Sequence, residues 1–212
     1  MKIISALKQL AVLLPLLAAP AAAAQPQHPW AFFDLGKTLI SHSPDYKDMK
    51  WIPGAREYIK DLKARGFHLG MLINWPGDEG NGNAEKLQLV KKFLYDGWND
   101  PAPFDWDSFE VVLFPPKDEY RKPNPYLFKQ AVKMAGYDGA VYQGEDAVEM
   151  AAAKKAGLPS HRVIFFPEHG ERSAGFLSPD EIIALVSKRG PDSGAARLRC
   201  APACADSDQT GD

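Results

Sequence analysis

Five side chains, spread over four short stretches of the sequence, could together act on a phosphate group. Asp34 follows an apolar run, Asn74 ends another, Lys122 lies in a proline-rich stretch, and Glu145 and Glu149 lie close together further on. A carboxylate can act as a nucleophile, a lysine can neutralise phosphate charge, and carboxylates can bind Mg²⁺. These residue types suit phosphoryl transfer, which depends mainly on positioning and charge neutralisation.

The Gly-Lys-Thr at 36–38 has a second interpretation, as the end of a nucleotide-binding P-loop. That loop needs a glycine five positions before the glycine of Gly-Lys-Thr, so that backbone amides can surround the phosphates. Ala31 stands there, inside a predicted strand, and a residue with a Cβ is poorly suited to such a turn. We therefore take Asp34, and not the Gly-Lys-Thr, as the functional part of this stretch.

Alternating strand and helix patterns predict a parallel sheet covered by helices on both faces. The predicted strands are 30–35, 67–74, 109–114, 139–143 and 162–166, and the predicted helices are 54–66, 83–98, 124–136, 147–157 and 178–190. Ligands of such sheets bind outside the carboxyl ends of the strands. Asp34, Asn74 and Glu145 fall at these ends, and Lys122 just precedes a helix.

The two ends of the chain differ in composition from its centre. Lys2, Lys8 and the apolar stretch after them are typical of a signal peptide over 1–24, which is too short and proline-broken for a membrane span. We expect export to the periplasm or beyond, one α/β domain over 25–190 and a disordered tail over 191–212. Cys200 and Cys204 in this tail could pair with each other, pair with a partner or stay free.

The overall charge excludes one class of partner. Basic and acidic side chains nearly balance, with a net charge of −2 at pH 7. Nothing in that balance indicates binding to nucleic acid or to an anionic membrane surface. The expected partner is instead a small-molecule or exposed phosphoester substrate.

In this order, the motifs resemble those of the haloacid dehalogenase-like (HAD) superfamily of phosphohydrolases. The family motif D-x-D-G-T compares with "DLGKT" at 34–38, and K-P-x-P compares with "KPNP" at 122–125. The motif G-D-x-x-x-D followed by A-A-x-x-A-G compares with "GEDAVEMAAAKKAG" at 144–157. The resemblance implies a three-layer Rossmann-like fold with a parallel five-stranded sheet.

The resemblance also implies roles for individual residues. Asp34 would attack phosphorus and form an aspartyl-phosphate, while Lys122 would neutralise charge beside it. The implied ligands of Mg²⁺ are Asp34, the backbone carbonyl of Gly36, Glu145 and Glu149. The implied substrate contacts are Thr38, Asn74 and Lys122.

Four positions depart from the family pattern. Gly36 replaces the second aspartate, which serves the family's phosphatases as general acid and base, and such proton transfer contributes about 10²–10⁴ in rate. Ile73 replaces a Ser or Thr, and Glu145 and Glu149 are each one methylene longer than the usual aspartate. His42 and Asp45, in the loop after the first motif, are the candidate proton donors.

Two crossovers could hold a cap domain, but 40–54 is too short for one and 75–108 holds only one helix and a loop. We therefore expect an open site. The first hypothesis is a Mg²⁺-dependent phosphomonoesterase lacking the usual second aspartate. The alternative is a catalytically degenerate member that binds a phosphorylated ligand or an envelope partner. A third interpretation is a structural module of the envelope, tethered by the cysteine tail.

Overall fold

The computed structural model describes residues 29–136, 139–168 and 170–187. The predicted signal peptide, the tail with Cys200 and Cys204, and His169 lie outside the described residues. None of the described helices is both long and apolar enough to cross a bilayer.

Seven strands and five helices alternate along the described chain. In chain order they are β1 Trp30–Phe33, β2 Ile40–Ser41, β3 Lys50–Trp51, α1 Ala55–Ala64, β4 His68–Leu72, α2 Gly82–Gly97, β5 Val111–Leu113, α3 Tyr126–Ala135, β6 Ala140–Gly144, α4 Ala147–Lys155, β7 Ser160–Arg162 and α5 Pro179–Ser187. Short 3₁₀ turns cover Trp106–Ser108 and Asp118–Tyr120.

Five of the strands form one parallel sheet in the order β5-β4-β1-β6-β7. Side chains of the central strand β1 alternate between its faces, as the two-residue period of a strand requires. Ala31 and Phe33 enter one fully buried apolar cluster, and Phe32 enters another on the opposite face. The predicted five-stranded α/β sheet covered on both faces is therefore confirmed.

The last strand is the element whose predicted position was wrong. The apolar run 162–166 was expected to form it, but β7 is Ser160–Arg162. Beyond Arg162 the chain leaves the sheet, and Ile164 pairs in an isolated bridge with Ala174. Because β7 is an edge strand, its pairing with β6 is not marked by a continuous apolar run.

No cap domain lies over the sheet within the described residues. The first crossover contains only the two-residue antiparallel pair β2–β3, and the second contains α2 and a loop. The aromatic side chains of that loop pack inward, since Phe104 is nearly buried and stacks on Trp51 at 4.5 Å between ring centroids. These contacts place the aromatic part of the loop in the apolar core.

Candidate active site

Asp34 is placed by the central strand. Its backbone N–H donates to the carbonyl of Gln143 on β6, so the residue is fixed at the carboxyl end of the sheet. The chain then turns sharply, with Lys37 at a φ of 53° and the N–H groups of Leu39 and Ile40 donating to the carbonyl of Leu35. The Asp34 side chain remains 15% exposed and therefore accessible from solvent.

Lys122 lies at the centre of the site with a fully buried side chain. Its Nζ is 2.6 Å from Asp34 Oδ1, 2.9 Å from Glu149 Oε2 and 2.8 Å from the hydroxyl of Tyr142. An ammonium group has three N–H donors, so these three acceptors satisfy it fully. Burial on its own lowers the pKa of Lys122, but Asp34 and then Glu149 outweigh it and raise that pKa, so the lysine stays charged.

Asn74 holds the lysine by its backbone. Its Oδ1 accepts from the Lys122 N–H at 2.7 Å, and its Nδ2 donates to the Lys122 carbonyl at 2.9 Å and to Glu149 Oε1 at 3.3 Å. The amide thus joins the end of β4 to the segment before α3. Asn74 is where the sequence predicted it, with contacts that orient Lys122; substrate binding by Asn74 stays a prediction.

Tyr142 is a site residue that sequence reasoning missed. It lies on β6, fully buried, and its hydroxyl accepts from Lys122 and donates to Glu149 Oε2 at 2.8 Å. Burial, followed by Asp34 and Glu149, raises the pKa of Tyr142 well above its usual range, so the phenol keeps its proton. The only sequence signal was a tyrosine inside an otherwise apolar strand leading to the acidic motif.

Glu149 reaches the site from the first turn of α4. Asp146 caps this helix, and its carboxylate accepts from the N–H groups of Val148 and Glu149. The spacing of Asp146 and Glu149 also fitted a reciprocal capping box. The Glu149 carboxylate is instead bound by Lys122, Tyr142 and Asn74, and its pKa is raised because burial outweighs the lysine.

Glu145 forms the other side of the site. It accepts a hydrogen bond from the Thr38 hydroxyl at 3.2 Å, and its carbonyl accepts from Arg162 Nε at 2.7 Å. Burial first, and the Asp34 carboxylate second, raise the pKa of Glu145 to about 8. Thr38 itself is fully buried, so its observed contact positions Glu145, and its contact with substrate stays a prediction.

The carboxylates of the site suit the requirements of Mg²⁺ to different degrees. Within the described residues, no three His, Cys, Asp or Glu side chains form a ready-made metal cluster. Mg²⁺ commonly takes only one or two protein carboxylates and completes its shell with waters and substrate phosphate. Burial and then the nearby Asp34 carboxylate raise the pKa of Glu145, and a cation bound by the two carboxylates would offset both costs. These two residues therefore fit the ion.

The other two predicted metal ligands differ in their surroundings. Gly36 lies two residues after Asp34 in the same turn, and its backbone carbonyl stays a predicted ligand. Both Glu149 oxygens already bind Lys122, Tyr142 or Asn74. A metal bound by Glu149 would have to displace one of these groups, so this ligand also stays a prediction.

Ile73 and Gly36, two of the departures from the family pattern, have distinct structural settings. Ile73 is 5% exposed and belongs to the core cluster, so it supplies packing where a hydroxyl was expected. Gly36 has the ring of His42 beside it: a Cβ built on the glycine would lie 3.6 Å from His42 Nε2. The space beside Gly36 is thus filled by an imidazole from the following loop.

Lys86 is a buried lysine that the sequence analysis did not identify, and it connects two loops beside the site. Lys86 on α2 is 2% exposed, and its Nζ donates to the carbonyls of Gly77 at 3.0 Å, Pro115 at 2.8 Å and Pro76 at 3.4 Å. These carbonyls belong to the loops after β4 and β5. Lys86 therefore ties together two loops that leave the same edge of the sheet.

The chain is similar in sequence to a known phosphatase. No family model matches the chain. A curated relative, the D-glycero-β-D-manno-heptose-1,7-bisphosphate 7-phosphatase of Rhodopseudomonas palustris, is 26% identical over 160 residues, which is 66% of this chain and 86% of the relative.

Two solved structures illustrate the structural likeness. The D,D-heptose 1,7-bisphosphate phosphatase of B. bronchiseptica, complexed with magnesium and phosphate, has a TM-score of 0.44 and 17% identity, and the match covers 64% of this chain and 80% of that one. A HAD family enzyme of Bacteroides thetaiotaomicron, complexed with magnesium and inorganic phosphate, has a TM-score of 0.45 and 14% identity over 68% of this chain and 96% of that one.

Proposed function

We propose that this chain, whose motifs resemble those of the haloacid dehalogenase-like superfamily, is a Mg²⁺-dependent phosphomonoester hydrolase in which Asp34 is the nucleophile. The observation that carries the proposal is the buried Lys122 ammonium, held at 2.6 Å from the carboxylate of Asp34. A lysine in this position neutralises charge where a phosphoryl group would meet the carboxylate.

The residues divide the chemistry between them. Asp34 attacks phosphorus and becomes an aspartyl-phosphate, which water then hydrolyses. Lys122, fixed by Asn74 and Tyr142, orients Asp34 and balances the negative charge of the phosphoryl oxygens. Asp34 and Glu145, with the Gly36 carbonyl, would hold Mg²⁺, which supplies further charge neutralisation at the phosphate when bound.

The proposed substrate is a small phosphomonoester or an exposed phosphate on a larger molecule. Access to Asp34 is open because no cap domain covers the sheet in the described part of the chain. The curated relative is named as a phosphatase of a sugar bisphosphate, which supports a phosphomonoester as the substrate class. The apolar amino-terminal segment supports a location outside the cytoplasm.

The test is turnover of p-nitrophenyl phosphate by the purified protein, with Mg²⁺ and with a chelator. Asp34→Asn removes the nucleophile while keeping the size of the side chain, so we expect Mg²⁺-dependent turnover to be lost. Asp61→Asn is the matched control, because Asp61 is half exposed on α1 and its carboxylate pairs with Arg65 on the helix surface. The control should retain wild-type turnover.

Equal rates for the wild type and Asp34→Asn would contradict the proposal. Calorimetric titration of the purified protein with Mg²⁺ and with inorganic phosphate would then distinguish the two remaining functions. Binding without turnover would favour a catalytically degenerate protein that recognises a phosphorylated ligand.

A further inference from the structure

Cleavage of an alkyl phosphate requires a proton for the departing oxygen, and none of the groups bound around Asp34 is free to supply it. Lys122 is fully buried and has all three donors engaged, and the Tyr142 hydroxyl donates to Glu149. Glu145 would be ionised while it holds the cation. Gly36 has no side chain, although it stands only two residues from the nucleophile.

The ring of His42 fills the space that a side chain at position 36 would enter. A Cβ built on Gly36 would lie 3.6 Å from Nε2 and 3.9 Å from Cδ2 of His42. These distances are ordinary van der Waals contact, so the imidazole edge lies directly beside the turn that carries Asp34. The His42 side chain is half-buried and keeps access to solvent.

Local contacts fix the orientation of the ring. His42 Nδ1 is 2.9 Å from the carbonyl of Ser43, and since a carbonyl only accepts, Nδ1 carries a hydrogen. The ring stacks on Tyr46 with centroids 4.4 Å apart and an interplanar angle of 23°. Nε2 makes no hydrogen bond in the part of the chain that the structure describes, and it is the nitrogen nearest Gly36.

We propose that His42 is the general acid and base of the reaction, acting through Nε2 from beside Gly36. In the first step an Asp34 oxygen bonds to phosphorus, the ester P–O bond breaks, and the departing oxygen takes the proton from Nε2. In the second step a water oxygen attacks phosphorus, loses a proton to Nε2, and the bond from phosphorus to Asp34 breaks. This role rests on the proposed phosphohydrolase function.

Asp45, the other candidate in this loop, is less suited to the role. Its carboxylate accepts a 2.6 Å hydrogen bond from Ser43 and is paired with Lys47 at 3.3 Å. Ser43 first and Lys47 second lower the pKa of Asp45, so it has no proton to give near neutral pH. The Nε2 of His42 has no such partner among the described residues, and an imidazole nitrogen can both donate and accept a proton while the other nitrogen keeps its hydrogen bond to Ser43.

The test compares two leaving groups in His42→Gln and His42→Ala. p-Nitrophenolate leaves without a proton at neutral pH, whereas the alkoxide of glycerol 2-phosphate needs one. We expect kcat/KM for glycerol 2-phosphate to fall by about 10²–10⁴, and kcat/KM for p-nitrophenyl phosphate to fall far less. His68→Gln is the matched control. His68 begins β4, at the amino-terminal end of the strands and away from Asp34, and it pairs with Glu110.

Comparing the two substrates also distinguishes proton transfer by His42 from a purely structural contribution of this residue. Retained p-nitrophenyl phosphate turnover shows that the variant is folded, so a selective loss on glycerol 2-phosphate supports proton transfer by His42. Equal losses on both substrates, or no loss on either, would overturn it while leaving the hydrolase intact. Wild-type rates on both substrates no higher than those of Asp34→Asn would overturn the hydrolase, and His42's role with it.

Restoring a carboxylate at position 36 gives a second, independent readout. Gly36 is not in the left-handed backbone region, and the space beside it opens when the imidazole is removed. In His42→Ala, the added change Gly36→Asp should therefore raise kcat/KM for glycerol 2-phosphate selectively. A rise of equal size on p-nitrophenyl phosphate would indicate a packing effect and would count against proton transfer.

Discussion

Lys122 shows how a single buried charge can organise a site. Its ammonium group contacts the carboxylate of Asp34 after β1, the carboxylate of Glu149 on α4 and the phenol of Tyr142 on β6. Two buried carboxylates near each other are costly unless a cation balances them. Lys122 supplies that cation even before a metal binds, which explains how Asp34 and Glu149 can lie 2.6 Å and 2.9 Å from the same buried atom.

Lys122→Met should therefore be strongly destabilising. The change keeps the length of the side chain but leaves Asp34 and Glu149 without their buried partner, so we expect the free energy of unfolding to fall by about 3–5 kcal/mol. Urea denaturation without divalent cations measures the loss. Lys129→Met, on the exposed face of α3, should change stability by less than about 0.5 kcal/mol; equal effects of the two changes would contradict this account.

Glu145 should make the metal-free protein less stable as pH rises. The pKa of Glu145 is about 8 in the folded state against an ordinary value of 4.5, so between these values the folded state holds a proton that the unfolded state has lost. Stability therefore falls as pH increases across this window, by no more than a few kcal/mol at about 1.4 kcal/mol per pKa unit.

Denaturation of the chelated protein at pH 5 and at pH 8 measures this slope, and Glu145→Gln should make it shallower. Saturating Mg²⁺ should do the same, because an ion bound between Asp34 and Glu145 stabilises the ionised form. An identical slope in the wild type and in Glu145→Gln would show that other groups control the pH dependence.

At the residue scale, the predictable part of the site was the part marked by motif spacing. Asp34, Lys122, Asn74 and the two glutamates were expected at one edge of the sheet, and the structure brings them together. The roles of Tyr142 and Lys86 depend on buried contacts between distant segments. Neither residue is part of a recognisable sequence motif. The burial of a side chain and a hydrogen-bond partner 29 residues away cannot be recognised from neighbouring residues.

Among the elements, α4 most directly links secondary structure to the site. Asp146 at its N-cap accepts from two backbone N–H groups, one of them that of Glu149. The cap thus holds the first turn in the position from which Glu149 reaches Lys122. Stability of this helix end and geometry of the site are consequently coupled.

Asp146→Ala should therefore lower both the stability of the protein and its activity. Losing the cap should lower the free energy of unfolding by about 0.5–2 kcal/mol and reduce kcat through a less well-placed Glu149. Asp146→Asn is the matched control, because asparagine caps helices about as well as aspartate does. Denaturation measures the change in stability, and p-nitrophenyl phosphate turnover measures the change in kcat. If Asp146→Asn lost as much activity as Asp146→Ala, the charge of Asp146 and not its capping hydrogen bonds would be responsible.

Element types were predictable from periodicity, whereas one strand boundary was not. The predicted helix 178–190 does begin beside Ser178, which forms a reciprocal hydrogen-bonded box with Glu181. For the last strand, the apolar run 162–166 was a misleading signal. Edge strands such as β7 are defined by pairing on one side only, and their composition is correspondingly less apolar.

At the scale of the whole molecule, the sheet order fixes where the chemistry occurs. β1 pairs with β4 on one side and β6 on the other, and Ala31, Phe32 and Phe33 are completely buried. Asp34 continues this strand and is hydrogen-bonded to β6. The proposed nucleophile, Asp34, is therefore carried by the central strand of the sheet, although its own side chain reaches solvent.

The central position of β1 has a consequence for how the protein would fail under heat. Amide hydrogens of 31–34 lie between two paired strands, and their exchange requires the centre of the sheet to open, so they should be among the slowest in the described chain by hydrogen-exchange mass spectrometry. Thermal inactivation should then share its midpoint with the loss of far-ultraviolet circular dichroism. Inactivation well below that midpoint would mean that the site melts locally; a shared midpoint would make activity a direct gauge of the intact fold.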